Sequence, residues 1–341
     1  MPGRRPPIHA RRACAPGPGG RRTARCTVAR ARPPLLALLL AIAGFAAAGD
    51  MYKWQDENGI WHFSDRPPKD EQPFDTFAVP VSSGQERVFM RRAGTEREPE
   101  HVIVNQFRGP VEVELRLEEA SNVVTDPPLP ATLVLDGGSE RTVLRAGPAD
   151  PRAGFTYRIS WRWVPGPPQA DLPEDLDFPP PFPSGRTFAV SQGFDGSHTH
   201  SDEQNAYAID IVMPEGTPVL SVRDGVVMEI EDDFHEGGTD KERYVRRANV
   251  IRVLHDDGTM AVYAHLQPRT AQVRSGSRVR RGQWLANSGN TGFSSGPHLH
   301  FAIQINAGMT LQSLPFRFER PEGGTMMPFG IGRIAGVMPQ P

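Results

Sequence analysis

Cysteine is almost missing from this chain of 341 residues: the two present, Cys14 and Cys26, lie near its start with no partner further on. That excludes a disulfide framework and a thiolate zinc site for everything downstream, so a metal would have to be held by His, Asp or Glu. Acid is missing from the first 49 residues, which carry nine arginines. Long apolar runs are missing too. The longest, Leu35–Ala48, has fourteen residues, against roughly 20 needed to span a bilayer as a helix. Lysine occurs only once beyond residue 185, as Lys241.

Proline and glycine, by contrast, are plentiful, at 35 and 34 residues. They argue for strands and turns over long helices. A basic flank, the short apolar run and the small-residue exit Ala46-Ala47-Ala48-Gly49 describe a secretory signal peptide, residues 1–49 including a basic N-terminal extension. The flank is long for that role, and translation starting near Val28 would shorten it. Removing those nine arginines takes the formal charge from −2 to about −11. An acidic, exported protein without a basic stripe excludes nucleic acid as a partner, and cleavage would leave no stable membrane span. The expected location is the periplasm or cell envelope of a Gram-negative bacterium, where cell-envelope proteins are candidate partners.

Residues 50–68 read as a β-hairpin module, two aromatic-rich strands flanking Asn58-Gly59, the dipeptide favoured in a type I′ turn. The stretch resembles a short module of unknown function found after the signal peptide of many exported bacterial proteins. Tyr52, Trp54 and Trp61 either stack on glycan or pack the hairpin against a neighbour. Residues 69–99 are charged, lack apolar periodicity and read as linker. From 100 to 165 strands resume: Val111, Val113, Leu115 and Leu117 alternate with charged residues, and Phe155, Tyr157, Ile159, Trp161 and Trp163 share one face. A small β-sandwich-like domain is expected, serving as a spacer. Residues 166–184 read as a stiff proline-rich linker, and 321–341 as a C-terminal tail.

Chemistry concentrates in 185–320. Seven of the ten histidines lie between His198 and His300, and Asp210 sits in the apolar strand Tyr207–Val212. In Gly296-Pro-His-Leu-His-Phe301, His298 and His300 stand two apart, so on a strand both project from one face. That suits a zinc site, with one imidazole on the metal and the other beside its water. The alternative is a His pair on a half-exposed strand. The run Val273–Leu285 is similar to the hairpin of biotinyl and lipoyl carrier barrels, but Lys241 has no carrier-like surroundings. The glycines at 289, 292 and 296 lack the strand–loop–helix context of a phosphate cradle and shape a turn. His255 reads as a strand-end surface residue, and His235 lies in the charged insert Asp232–Arg247, which could overhang a groove.

The ordered set Gly216-Thr-Pro-Val, Asp224-Gly-Val-Val, Tyr263-Ala-His-Leu, Gly282-Gln, Gly289-Asn-Thr-Gly and Gly296-Pro-His-Leu-His-Phe resembles the lysostaphin-type (LytM-like) zinc metallopeptidases over about residues 186–310. The resemblance implies an all-β chain, with an antiparallel β-sheet metallopeptidase domain behind the sandwich-like domain and the hairpin. It implies Zn2+ held by His200, Asp210 and His300, with His265 and His298 as the catalytic imidazoles and Asn249 as a substrate contact. The family's first ligand usually lies four residues before the Asp; here that position is Ala206. His200 is chosen over His198 because a ten-residue spacing resembles a Gram-negative branch. Three protein ligands leave zinc an open position for water, and the imidazoles would carry the proton transfers. The implied activity is hydrolysis of peptidoglycan stem peptides or cross-links, best guessed as the D-alanyl to meso-diaminopimelyl bond. The alternative is a non-catalytic member that binds or regulates other wall hydrolases.

Overall fold

The structure is a computed structural model that describes residues 50–55, 61–64, 75–78, 87–173, 176–194, 200, 202–328, 330 and 332–337. The expected signal peptide, the Asn58-Gly59 turn and His198 lie outside the described residues. The chain forms two compact units, 1–77 and 78–341. In the first, Asp50–Gln55 pairs antiparallel with Trp61–Ser64, and Asp75–Ala78 adds a third strand beside Asp50–Gln55. Among the described residues no helix is long and apolar enough to cross a membrane.

The regular structure of the second unit is nearly all strand, most of it paired antiparallel. Its front part is two sheets around one core. Val88–Gly94, Pro99–Asn105, Glu140–Pro148 and Val123–Asp126 make one sheet; Thr156–Pro165, Val111–Ser121 and Ala131–Leu135 make the other. Alternation dictates which side chains meet between them: Ile103 and Leu144 from the first sheet face Val111, Val113 and Leu115 from the second, all buried. The stretch 69–99, expected as linker, instead contributes strands at Asp75–Ala78 and Val88–Gly94. Val88–Gly94 is an outer strand of its sheet, and its exposed Arg91 and Arg92 hid its short apolar pattern.

This front part is not a loose spacer. Met228 and Met260 of the following domain enter its core. Buried Glu112 accepts hydrogen bonds from Asn306 Nδ2 at 2.8 Å and from the Met309 amide at 2.7 Å. A carboxylate so enclosed is tolerable only because those donors replace water.

The following domain is built on one nine-stranded sheet. Its main order is Arg278–Val279, Gly225–Glu231, Val250–Leu254, Met260–Ala264, Leu299–Asn306, Ile209–Val212, Thr187–Gln192 and Gly332–Ala335, with Leu311–Ser313 paired to Leu299–Asn306. Two expectations fail here. The proline-rich 166–184 does not stand free, since Phe178 and Phe182 are fully buried and Asp177–Phe178 pairs in parallel with Arg317–Glu319. Burying each ring is worth about 2 kcal/mol, which outweighs the stiffness of the prolines between them. The expected tail supplies Gly332–Ala335, which covers the edge at Thr187–Gln192.

His255, expected at the surface, is also buried. Its Nδ1 donates to Thr259 Oγ1 at 2.8 Å, because that hydroxyl gives its own proton to Asp257. Nε2 has no hydrogen-bond partner among the described residues. Burial, and then the charge of Arg223, push its pKa down from 6.5 to about 4. The unfolded chain therefore takes up this proton first, so stability falls as pH drops from 6.5 towards 4 and this contribution is constant outside that window. The full effect is at most about 3 kcal/mol. Urea unfolding at pH 7 and pH 4.5 should show a smaller acid loss for His255→Gln than for the native chain. Equal losses would remove His255 as their source.

A candidate metal centre on one face of the sheet

Burial on one side of the sheet decides what faces the other. Ile209 and Ile211 go into the core, so Asp210 between them must point away from it; Leu299 and Phe301 do the same for His300. Asp210, His300 and Ala264 are in register across three adjacent strands. His298, one pleat before His300, shares its face. The chain leaves Met260–Ala264 at His265 with a φ of +62°, a left-handed conformation that costs a non-glycine residue about 1 kcal/mol or more. Its ring centroid lies 4.5 Å from that of His298.

His200 enters from the loop before Ile209–Val212. It is 1 % exposed, its Nε2 is 3.3 Å from Asp210 Oδ1, and its ring meets His300 edge-on at 5.2 Å. His300 Nδ1 stands 2.9 Å and His298 Nε2 3.8 Å from the same carboxylate oxygen. Asp210, His298 and His300 keep 14–15 % side-chain exposure, so the face is reachable from solvent.

Three backbone carbonyls set the tautomers. Gly193 O lies 3.0 Å from His200 Nδ1, Thr291 O 2.6 Å from His265 Nδ1, and Gly296 O 2.8 Å from His298 Nδ1. A carbonyl only accepts, so each Nδ1 carries the proton and each Nε2 keeps a lone pair. Such outer partners are how imidazole ligands are oriented. His200 Nε2 is buried, makes no hydrogen bond with any described residue, and confronts a carboxylate oxygen with another lone pair. A cation resolves that confrontation. One donor atom each from His200, Asp210 and His300 lies within 4.8 Å of the other two, the one such group among the described residues. Two imidazoles and a carboxylate with solvent access fit a catalytic zinc donor set.

The electrostatics agree. Burial alone would raise the Asp210 carboxyl, but the approach of His200 Nε2, the hydrogen bond of His300 and the charges of His300 and His298 hold it far below the carboxylate range. For His200, burial pulls the pKa down and Asp210 more than reverses it. His265 is pushed down to about 3, by burial first and then by the neighbouring imidazoles, so it stays neutral.

Asn249 does not face this site. It is fully buried, its amide nitrogen donates to Phe234 O and Leu266 O, and its amide oxygen accepts from the Phe234 amide. Nothing is left for a substrate; Asn249 ties the start of the charged insert to the residue after His265. His235 is exposed on that insert and belongs to no metal-binding group among the described residues. The insert rests on the turn that holds His265: Gly237–Gly238 pairs with Gly292–Phe293, and a Cβ on Gly237 would sit 1.9 Å from Asn290 O. Spacing alone did not single out Gly193, Thr291 or Ser294, whose Oγ lies 3.2 Å from His298 Nδ1. The paired glycines around Thr291 were the available trace of them.

The chain matches the description of peptidase family M23 over residues 204–311, a range that begins after His200. A domain of unknown function (DUF4124) matches 37–83. An uncharacterized metalloprotease of Buchnera aphidicola is 34 % identical over 98 residues, 29 % of this chain and 23 % of that protein. Peptidoglycan DD-endopeptidase ShyA of Vibrio cholerae is 31 % identical over 127 residues, 36 % and 26 % of the two chains. Glycyl-glycine endopeptidase ALE-1 of Staphylococcus capitis is 36 % identical over 104 residues, 30 % and 25 %. The chain thus spans about a quarter of the length of these curated relatives. With an Asp and four histidines gathered on one sheet face, and most of that face inside the matched range, residues 204–311 are a domain of peptidase family M23.

Proposed function

We propose that the chain is an exported, zinc-dependent endopeptidase that hydrolyses amide bonds in peptidoglycan peptides and cross-links. The observation that carries this reading is the buried Nε2 of His200, without a hydrogen-bond partner among the described residues, facing Asp210 Oδ1 beside His300 on a face that solvent reaches. His200, Asp210 and His300 would hold the metal. When bound, zinc supplies Lewis acidity, polarising a scissile carbonyl and easing the loss of a proton from water. His298 Nε2 has its lone pair towards that point, and its Nδ1 proton on Gly296 O steadies the imidazolium that forms when Nε2 takes up a proton. His265, neutral and tethered to Thr291 O, offers an acceptor at Nε2; in this tautomer it orients a water or an amide N–H instead of donating to an oxyanion.

The substrate class rests on the relatives named for peptidoglycan cleavage, and the D-alanyl to meso-diaminopimelyl cross-link is the bond of choice. Export rests on the basic flank and apolar run before residue 50. Purified sacculi in a gel should clear around the zinc-loaded chain and stay opaque when a chelator is present. Clearing that survives chelation, or none with zinc supplied, counts against the enzyme.

A further inference from the structure

The front two-sheet domain has a use beyond packing. Its core ends early: Val111–Ser121 is buried as far as Leu115 and exposed after Leu117, and its neighbour Thr156–Pro165 is buried only at its far end. Where the sheets part, a cavity of about 580 Å³ opens, lined by Met90, Arg92, His101, Phe155, Tyr157 and Trp161, with Glu96 also in its wall. That volume is in the range of small-ligand sites, roughly 300–1,000 Å³.

Its walls are organised. Phe155 and Tyr157 alternate onto one face with rings 3° from parallel and 6.0 Å apart. Tyr157 Oη and His101 Nε2 are 2.9 Å apart, a bond that spans the two sheets. Burial, and then the charge of Arg92, lower the His101 pKa, so its neutral Nε2 accepts the phenolic proton. Arg92 is the register partner of His101. Its neighbours at the mouth are engaged, Arg91 with Glu140 and Arg158 with Glu119. Arg92 forms no ion pair with a described residue. Flat rings, a fixed phenol, an unengaged guanidinium and one carboxylate in the same wall suit sugar faces, an acidic substituent and hydroxyls.

We infer that this cavity binds the glycan strand of peptidoglycan, Phe155, Tyr157 and Trp161 carrying the sugar faces and Arg92 a carboxylate of the lactyl-peptide substituent. The inference rests on the peptidoglycan reading of the metal site and gives the front domain the task of holding the polymer.

The test uses the full chain carrying Asp210→Ala, so that sacculi stay intact, in a sedimentation assay. Adding Arg92→Glu or Tyr157→Ala should weaken sacculus binding at least about 10-fold, with Tyr157→Phe keeping most of it. In a chain with Asp210 intact, the same changes should leave cleavage of a short cross-linked peptide unaltered. Binding indifferent to Arg92→Glu overturns the site. So does displacement by polyglutamate as effective as by soluble glycan, which would reduce the cavity to bare charge. Arg92-dependent binding in a chain that never cleaves the peptide would uphold this site and sink the peptidase reading; cleavage without such binding does the reverse.

Discussion

Under the proposed function, Asp210→Ala should remove both metal binding and the hydrolysis of cross-linked peptides. The carboxylate is the junction of the site, with His300 Nδ1, His200 Nε2 and His298 Nε2 at 2.9, 3.3 and 3.8 Å from its Oδ1. Losing even an outer partner of a metal ligand costs about 10–100-fold in affinity, so losing the one anionic ligand should cost at least about 100-fold. A second readout separates this from misfolding. Without metal, the neighbouring imidazoles hold Asp210 ionised and so stabilise the fold through it; its removal should cost metal-free stability, and the metal effect is therefore read within each chain. Zinc at 100 times its dissociation constant adds about 2.7 kcal/mol to a chain that binds it. Thermal unfolding with and without zinc should therefore show a rise for the native chain and none for Asp210→Ala. A variant that retains stoichiometric zinc would overturn the assignment of Asp210 as ligand.

The difference between what spacing foretold and what folding added is physical. Strict alternation at Ile209-Asp210-Ile211 and Leu299-His300-Phe301 announces polar groups projected from an apolar sheet, because a pleat leaves no other choice. That makes the sheet face readable from the sequence. Asn249 was misjudged because a buried amide that bonds three backbone groups has the same letter as one that bonds substrate. The carbonyls of Gly193, Thr291 and Gly296 were invisible because every residue has one; only chain direction decides which of them aims at an imidazole. The proline-rich stretch misled for another reason. Its prolines announce stiffness, while Phe178 and Phe182 between them supply the apolar area that docks it. The cavity in the front domain was missed because alternation reports which face a residue takes and not whether a second layer reaches far enough to cover it.

His298→Ala should keep its zinc and lose turnover by about 10²- to 10⁴-fold, the usual worth of a positioned general base. Geometry distinguishes it from His300, two residues on. His300 Nδ1 lies in direct contact with Asp210 Oδ1, while His298 Nε2 stands 0.9 Å farther from that atom, the difference between 3.8 and 2.9 Å. His298 is also held from behind, its Nδ1 donating to Gly296 O at 2.8 Å with Ser294 Oγ alongside, so a positive charge on the ring meets a carbonyl dipole and needs no rearrangement. Truncation to alanine removes the proton acceptor but none of the three donor atoms grouped around the metal position. Metal content by elemental analysis and kcat/KM on a soluble cross-linked muropeptide separate the outcomes. Zinc retained with turnover lost fits a base, zinc and turnover lost together would make His298 a ligand, and full turnover would take it out of the chemistry. If His265 and His298 act as one unit, the double variant His265→Ala/His298→Ala should be scarcely worse than His298→Ala alone, as residues sharing one step are strongly non-additive; multiplicative losses would instead give each imidazole its own step.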